Sequence, residues 1–157
     1  MYASLDNLKD EKIIFKRIHT NYKDIDGIEY IDYIKKYRGS VKNLLIKNNK
    51  IYVSYVKKIN EKCFINEILL SSLSFDKIIF NDFFNTNECQ PDPLNSSGGN
   101  LSDFKDDKIL MTIGDYKSYE KHGRDNPQNI NSLIGKIISI DEKTKEYKIL
   151  SMGHRNP

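Results

Sequence analysis

The chain has no tryptophan, three histidines, four prolines and two cysteines in 157 residues. The cysteines, Cys63 and Cys89, belong to no C-x-x-C pair and have no neighbouring histidine, so a zinc site of ordinary ligand spacing is excluded. Nowhere does the chain approach the roughly 18 consecutive apolar residues a membrane-crossing helix needs. It also lacks a basic block. Its 25 Lys and Arg and 22 Asp and Glu are scattered and leave a net charge of +3, which argues against a partner bound through nucleic-acid phosphates. The opening Met1-Tyr-Ala-Ser-Leu-Asp-Asn7 has neither the basic nor the apolar segment of a secretory signal. Apolar residues at helical spacing are scarce.

What the chain has instead is a succession of short apolar and β-branched runs separated by polar turns, the pattern of an all-β protein. Strands are expected at 11–18, 28–34, 42–47, 51–57, 63–71, 77–83, 100–104, 108–113, 134–140 and 146–151. Cys63 opens one of them and Cys89 follows another. A disulfide pinning adjacent strands and a pair of half-buried thiols are both compatible with that position.

Two turns carry hairpin chemistry: Lys47-Asn-Asn-Lys50 and Lys105-Asp-Asp-Lys108, whose Asn and Asp tolerate a left-handed backbone. Both turns run into isoleucine, Ile51 and Ile109, so the motif K-[ND]-[ND]-K-I recurs at an offset of 58 residues. Residues 42–83 and 100–151 each supply four strands in an up-and-down meander, which is the plan of a β-propeller blade. The spacing exceeds the usual 40 to 50 residues because of two long polar segments, 84–99 and 114–133. Long loops on a rigid strand scaffold commonly carry function.

The count gives about two and a half four-stranded antiparallel blades, fewer than the four that close a ring. The expected division is 1–41 as the end of one blade, 42–98 as a second and 99–157 as a third. With unpaired edges on both sides, the chain is expected to be a fragment of a propeller, truncated at its N-terminus and after the third blade, and inactive alone.

Three segments resemble the glucose/sorbosone dehydrogenase family of soluble quinoproteins. They are Ile51-Tyr-Val-Ser-Tyr55; Gly98-Gly-Asn-Leu101 with Lys108-Ile-Leu-Met-Thr-Ile-Gly-Asp115; and Gly135-Lys-Ile-Ile-Ser-Ile-Asp141 with Gly153-His-Arg-Asn-Pro157. The last is the most specific, since Arg-Asn-Pro after a strand is rare by chance. The likeness covers about residues 42–157. It implies a six-bladed propeller in the complete protein, located in the periplasm or outside the cell. There pyrroloquinoline quinone (PQQ), held with Ca2+, oxidises an aldose at the anomeric carbon.

By the same resemblance Arg155 and Asn156 are candidate cofactor-binding residues, a guanidinium and an amide suited to the quinone's carboxylates and carbonyls. Asp115 is a candidate support for the catalytic base, with a β-turn Asp capping its own loop as the alternative. The family's base is a histidine at the position of Ser96. A serine does not titrate near neutrality and cannot take the sugar's hydroxyl proton unaided, so whether the chain belongs to an enzyme stays open. The alternative is a non-catalytic propeller of the same superfamily that binds a carbohydrate or a protein.

Of the histidines, His122 falls in the 114–133 loop, His19 follows a strand and His154 precedes Arg155. No metal site is expected in this stretch: Asp24, Asp26, Asp106 and Asp107 lack the spacing and glycine of a calcium loop. Asn95-Ser-Ser97 and Asn100-Leu-Ser102 match the glycosylation pattern only by coincidence.

Overall fold

A computed structural model describes residues 17–21, 24–25, 41–90, 96–117 and 125–157. The strand expected at 28–34, nearly all of that at 11–18, and His122 lie outside them. The described strands are β1 (His19–Thr20), β2 (Val41–Lys47), β3 (Lys50–Asn60), β4 (Cys63–Ser72), β5 (Lys77–Ile78), β6 (Asn81–Asn85), β7 (Gly98–Phe104), β8 (Lys108–Ile113), β9 (Lys136–Asp141) and β10 (Tyr147–Met152). A 3-10 turn spans Asn126–Gln128. The described fold is all-β.

Two four-stranded antiparallel sheets form, in the orders β2-β3-β4-β6 and β7-β8-β9-β10. Each is a propeller blade, and the repeated turns start both. Asn48 and Asn49 take φ of 49 and 57 degrees and join β2 to β3 with Lys47 opposite Lys50, a two-residue hairpin with both central residues left-handed. In the second copy Asp106 and Asp107 are also left-handed, at φ 60 and 53 degrees, but Phe104 pairs with Lys108. That turn is one residue longer.

The two blades share their side-chain core. Tyr52, Ile68 and Phe83 of the first face Leu101, Ile109, Met111, Ile113, Ile138 and Ile140 of the second, with Tyr116, Leu133 and Ile134 closing the layer from the loops. Burial in β8 alternates strictly, as a strand with one face in a core requires. Tyr52 meets Phe83 edge to face at 5.3 Å. On the opposite face of the first blade, Tyr55 and Leu69 pack with Ile25, Val53 and Phe80.

One strand departs from expectation. The run 77–83 is not continuous: Lys77 and Ile78 pair in parallel with His19 and Thr20, while the fourth strand of the blade is Asn81–Asn85. The break at Phe80 is stabilised by Asn21, whose side chain accepts from Phe80 N–H at 2.9 Å and donates to its carbonyl at 3.0 Å. An amide that matches a peptide unit substitutes for the ladder there.

Cys63 and Cys89 are joined, with Cα atoms 4.7 Å apart. Beside the bond, Phe64 and Gln90 exchange backbone hydrogen bonds at 2.9 Å. The start of the 84–99 connection is thus pinned along β4, and the disulfide is the alternative the chain adopts.

Candidate functional site

Backbone chemistry at the start of β7 assembles one end of the second blade. Ser96 is left-handed at φ 54 degrees, and Gly98 and Gly99 follow at 65 and 102 degrees. Gly98 and Gly114 lie too close for side chains: a Cβ on Gly114 would overlap the Ser96 carbonyl, and one on Gly98 would stand 2.6 Å from Gly114 N. The closeness lets Gly114 N–H and Tyr116 N–H donate to the carbonyls of Ser97 and Ser96, both at 3.0 Å.

The residues singled out from the sequence converge on this end. Asp115 N–H donates to the Arg155 carbonyl at 2.7 Å, and Gly98 N–H donates to Asn156 Oδ1 at 3.2 Å. Asn100 N–H donates to Thr112 Oγ1 at 3.1 Å, and that hydroxyl donates to the Pro157 carbonyl at 3.0 Å. Ser96, Asp115, Arg155 and Asn156, spread over 60 positions of chain, thus meet within one hydrogen-bonded weave. Arg155 and Asn156 are exposed there, and Ser96 and Asp115 are half-buried.

Their side chains have distinct settings. Asp115 Oδ1 accepts from Lys117 N–H at 2.8 Å, the Asx turn that lets Tyr116 and Lys117 adopt φ of 51 and 53 degrees. Asn156 spends its oxygen on Gly98 and keeps its amide NH2 as donor. Among the described residues no side chain hydrogen-bonds the Ser96 hydroxyl, so nothing there activates it as a nucleophile or base. His154 holds its backbone on Gly135 at 3.0 Å and its ring on Ser151 Oγ at 2.8 Å, while His19 lies on β1 beside Lys77.

The first blade supports this end with polar groups that sequence reasoning passed over. Ser54 donates to the Gly99 carbonyl, and Asn66 Nδ2 donates to the Ser97 carbonyl at 3.1 Å. Tyr116 donates its hydroxyl to Asn66 Oδ1, and burial pushes its phenol well above the ordinary range. Glu88 accepts from Ser132 Oγ at 2.6 Å and Leu133 N–H at 2.8 Å, tying the two long loops together. The available signal was a polar residue inside an apolar strand, as with Ser54 in IYVSYV and Asn66 in CFINEILL.

The other end of the seam is ionic. A cleft of about 340 Å3 there is lined by Lys50, Phe83, Glu142 and Lys145 among others. It contains none of the residues expected to carry function. Among the described residues no group of three or more His, Cys, Asp or Glu is arranged to hold a metal, and no helix is long and apolar enough to cross a membrane.

No protein-family model matches the chain, and no curated protein sequence does either. Solved structures do. A glucose dehydrogenase superposes with a TM-score of 0.64 at 18% identity over 77% of this chain and 42% of its own. The soluble aldose sugar dehydrogenase of Escherichia coli, in its apo-form, gives 0.57 at 19% over 75% and 39%. A Thermus thermophilus oxidoreductase described as a glucose dehydrogenase gives 0.60 at 18% over 76% and 40%. The chain therefore spans about two fifths of the length of these structures, and what it shares with them is the fold of the glucose and aldose sugar dehydrogenases.

Proposed function

We propose that these blades belong to a sugar dehydrogenase-like propeller and form part of the wall of its ligand site, with Arg155 and Asn156 as contacts for PQQ and an aldose as the substrate of the complete protein. The observation that carries this reading is the convergence of Ser96, Asp115, Arg155 and Asn156 at one end of one blade. Arg155 is exposed and Asn156 has an NH2 to donate, which suits the carboxylates and carbonyls of the quinone. The quinone, when bound, supplies the hydride acceptor. The described residues offer no ligand set for Ca2+, so no step is derived through it.

In this reading the chain's own residues orient rather than react. Asn156 fixes the Gly98 peptide, and Asp115 shapes its own loop and anchors the Arg155 carbonyl. Proton removal from the sugar hydroxyl is the step for which Ser96 lacks the chemistry. That favours a second reading, a propeller of the same build that binds a carbohydrate or protein without turning it over.

Adjoining blades fit both readings, since Leu44 and Ile46 of β2 leave more than half their surface exposed, at 58% and 56%. A periplasmic or extracellular setting fits the Cys63–Cys89 bond. The deciding assay titrates PQQ into the complete protein with Ca2+ and then measures aldose-dependent reduction of an artificial acceptor. Binding with turnover establishes the dehydrogenase. Binding without turnover, restored by Ser96→His, places the lesion at Ser96. Failure to bind PQQ leaves the binding module.

A further inference from the structure

Three deeply placed lysines of the two blades have partners among the described residues. Lys47 meets Glu142 and Asp103, both at 2.7 Å, and Lys57 meets Glu67 at 2.9 Å. Lys136 donates to the carbonyls of Asn126, Pro127 and Ile134 at 2.8 to 3.0 Å. Lys42 is half-buried and makes no hydrogen bond or ion pair among the described residues. Burial holds its ammonium below the usual lysine range. Withdrawing an ammonium from water without a counter-group is costly, so such an arrangement calls for a reason outside the two blades.

Its placement supplies one. The β2 register slips between Val41 and Asn43, making Lys42 the additional residue of a bulge, a device that re-aims a side chain. Its stem runs over Gly99: a Cβ built on that glycine would stand 2.6 Å from Lys42 Cβ and Cγ. Asn43 donates to Asn100 at 3.3 Å and Lys47 bonds the Phe104 carbonyl at 3.2 Å, so β2 and β7 rise in step and start at the same end. That is the end where Gly98 N–H is held by Asn156. Gly99 has no side chain, and its space is filled by the stem of an unpartnered cation at the edge of the weave.

We propose that Lys42 contacts a carboxylate of the molecule bound at this end. The inference rests on the reading of this end as a ligand site. The carboxylate belongs either to the quinone or to an acidic sugar, and the test separates the two.

Calorimetric titration of the 157-residue chain with PQQ, glucuronate and glucose is run on the wild type, Lys42→Met and Lys42→Arg. The expected result is a loss of about tenfold in affinity for an acidic ligand in Lys42→Met, substantial retention in Lys42→Arg, and no change for glucose. Loss confined to PQQ assigns the cofactor's carboxylate, and loss confined to glucuronate assigns the sugar's. Lys42→Met should also melt no lower than wild type, because it removes an unpartnered charge.

The proposal is overturned if the wild type binds no acidic ligand, if all three ligands weaken by the same factor, or if Lys42→Met lowers the melting temperature. Absent turnover in the complete protein that Ser96→His does not restore, with acid binding intact, sinks the dehydrogenase reading and leaves this one standing.

Discussion

Lys47 Nζ lies 2.7 Å from Glu142 Oε1 across the seam between the two blades, and it also donates to the carbonyls of Phe104 and Lys108 at 3.2 and 2.8 Å. Tyr52 and Lys50 bond the other carboxylate oxygen at 2.7 and 3.3 Å. The first lysine of the repeated turn is thus a cross-blade clamp, and both Lys47 and Glu142 side chains are more than nine-tenths buried. Removing one partner strands the other in the seam. Lys47→Met should destabilise the chain by about 2 to 4 kcal/mol in urea unfolding. A Lys47→Met/Glu142→Leu pair should cost less than the two single changes added together, and full additivity would disprove the clamp.

Glu142 and Glu67 should respond to acid with opposite signs. Burial works to raise the Glu142 carboxyl, but hydrogen bonds from Lys47, Tyr52 and Lys50 outweigh it and hold it below its usual range. Its contribution is therefore present above the unfolded value near 4.5 and lost as pH falls through the lower folded value. For Glu67, burial outweighs the bonds from Tyr55 and Lys57 and raises the carboxyl, so its ionisation costs stability as pH rises through 4.5. Glu142→Gln should cost about 2 kcal/mol at pH 7 and less at pH 3, while Glu67→Gln should stay within about 1 kcal/mol of wild type at pH 7. Urea midpoints at the two pH values decide it.

Gly114→Ala tests the weave at the candidate site. The methyl would overlap the Ser96 carbonyl, and backbone on both sides leaves little room for relief. A loss of about 3 kcal/mol or more is expected, with weakened amide protection at Gly114 and Tyr116 in hydrogen exchange. A variant as stable as wild type would mean that the two segments do not approach this closely.

Cys63 and Cys89 enclose a separation of 26 residues. Thiol titration of the unfolded oxidised chain should detect no free thiol. The double change to serine should cost about 3 to 4 kcal/mol in the loop-entropy account. Two titratable thiols in protein kept under oxidising conditions would refute the pairing.

The strands were legible in the amino-acid order because their information is local. Alternation such as that of Lys108–Ile113 names a buried face, and Asn48-Asn49 or Asp106-Asp107 supplies the left-handed residues a hairpin needs. The split of 77–83 was not legible, since it depends on an amide at Asn21, 59 positions from Phe80. Nor was the choice between thiols and a disulfide, because position along the chain says nothing of the 4.7 Å that separates the two Cα atoms. Ser96, Asp115, Arg155 and Asn156 were found by resemblance, and Asn66 stands out as a polar residue in an apolar strand, whereas Lys42 and Glu88 give no local signal of role.

By itself the sequence determined that this is an all-β chain with two copies of a four-stranded unit, since hydrophobic alternation and turn chemistry act over a few residues. Only the tertiary structure decided which copies of a polar residue matter. Lys47 is buried against Glu142 while Lys105, its counterpart in the second turn, is exposed. Burial and partnership depend on which strands are brought face to face, a long-range outcome of packing that spacing along the chain does not encode.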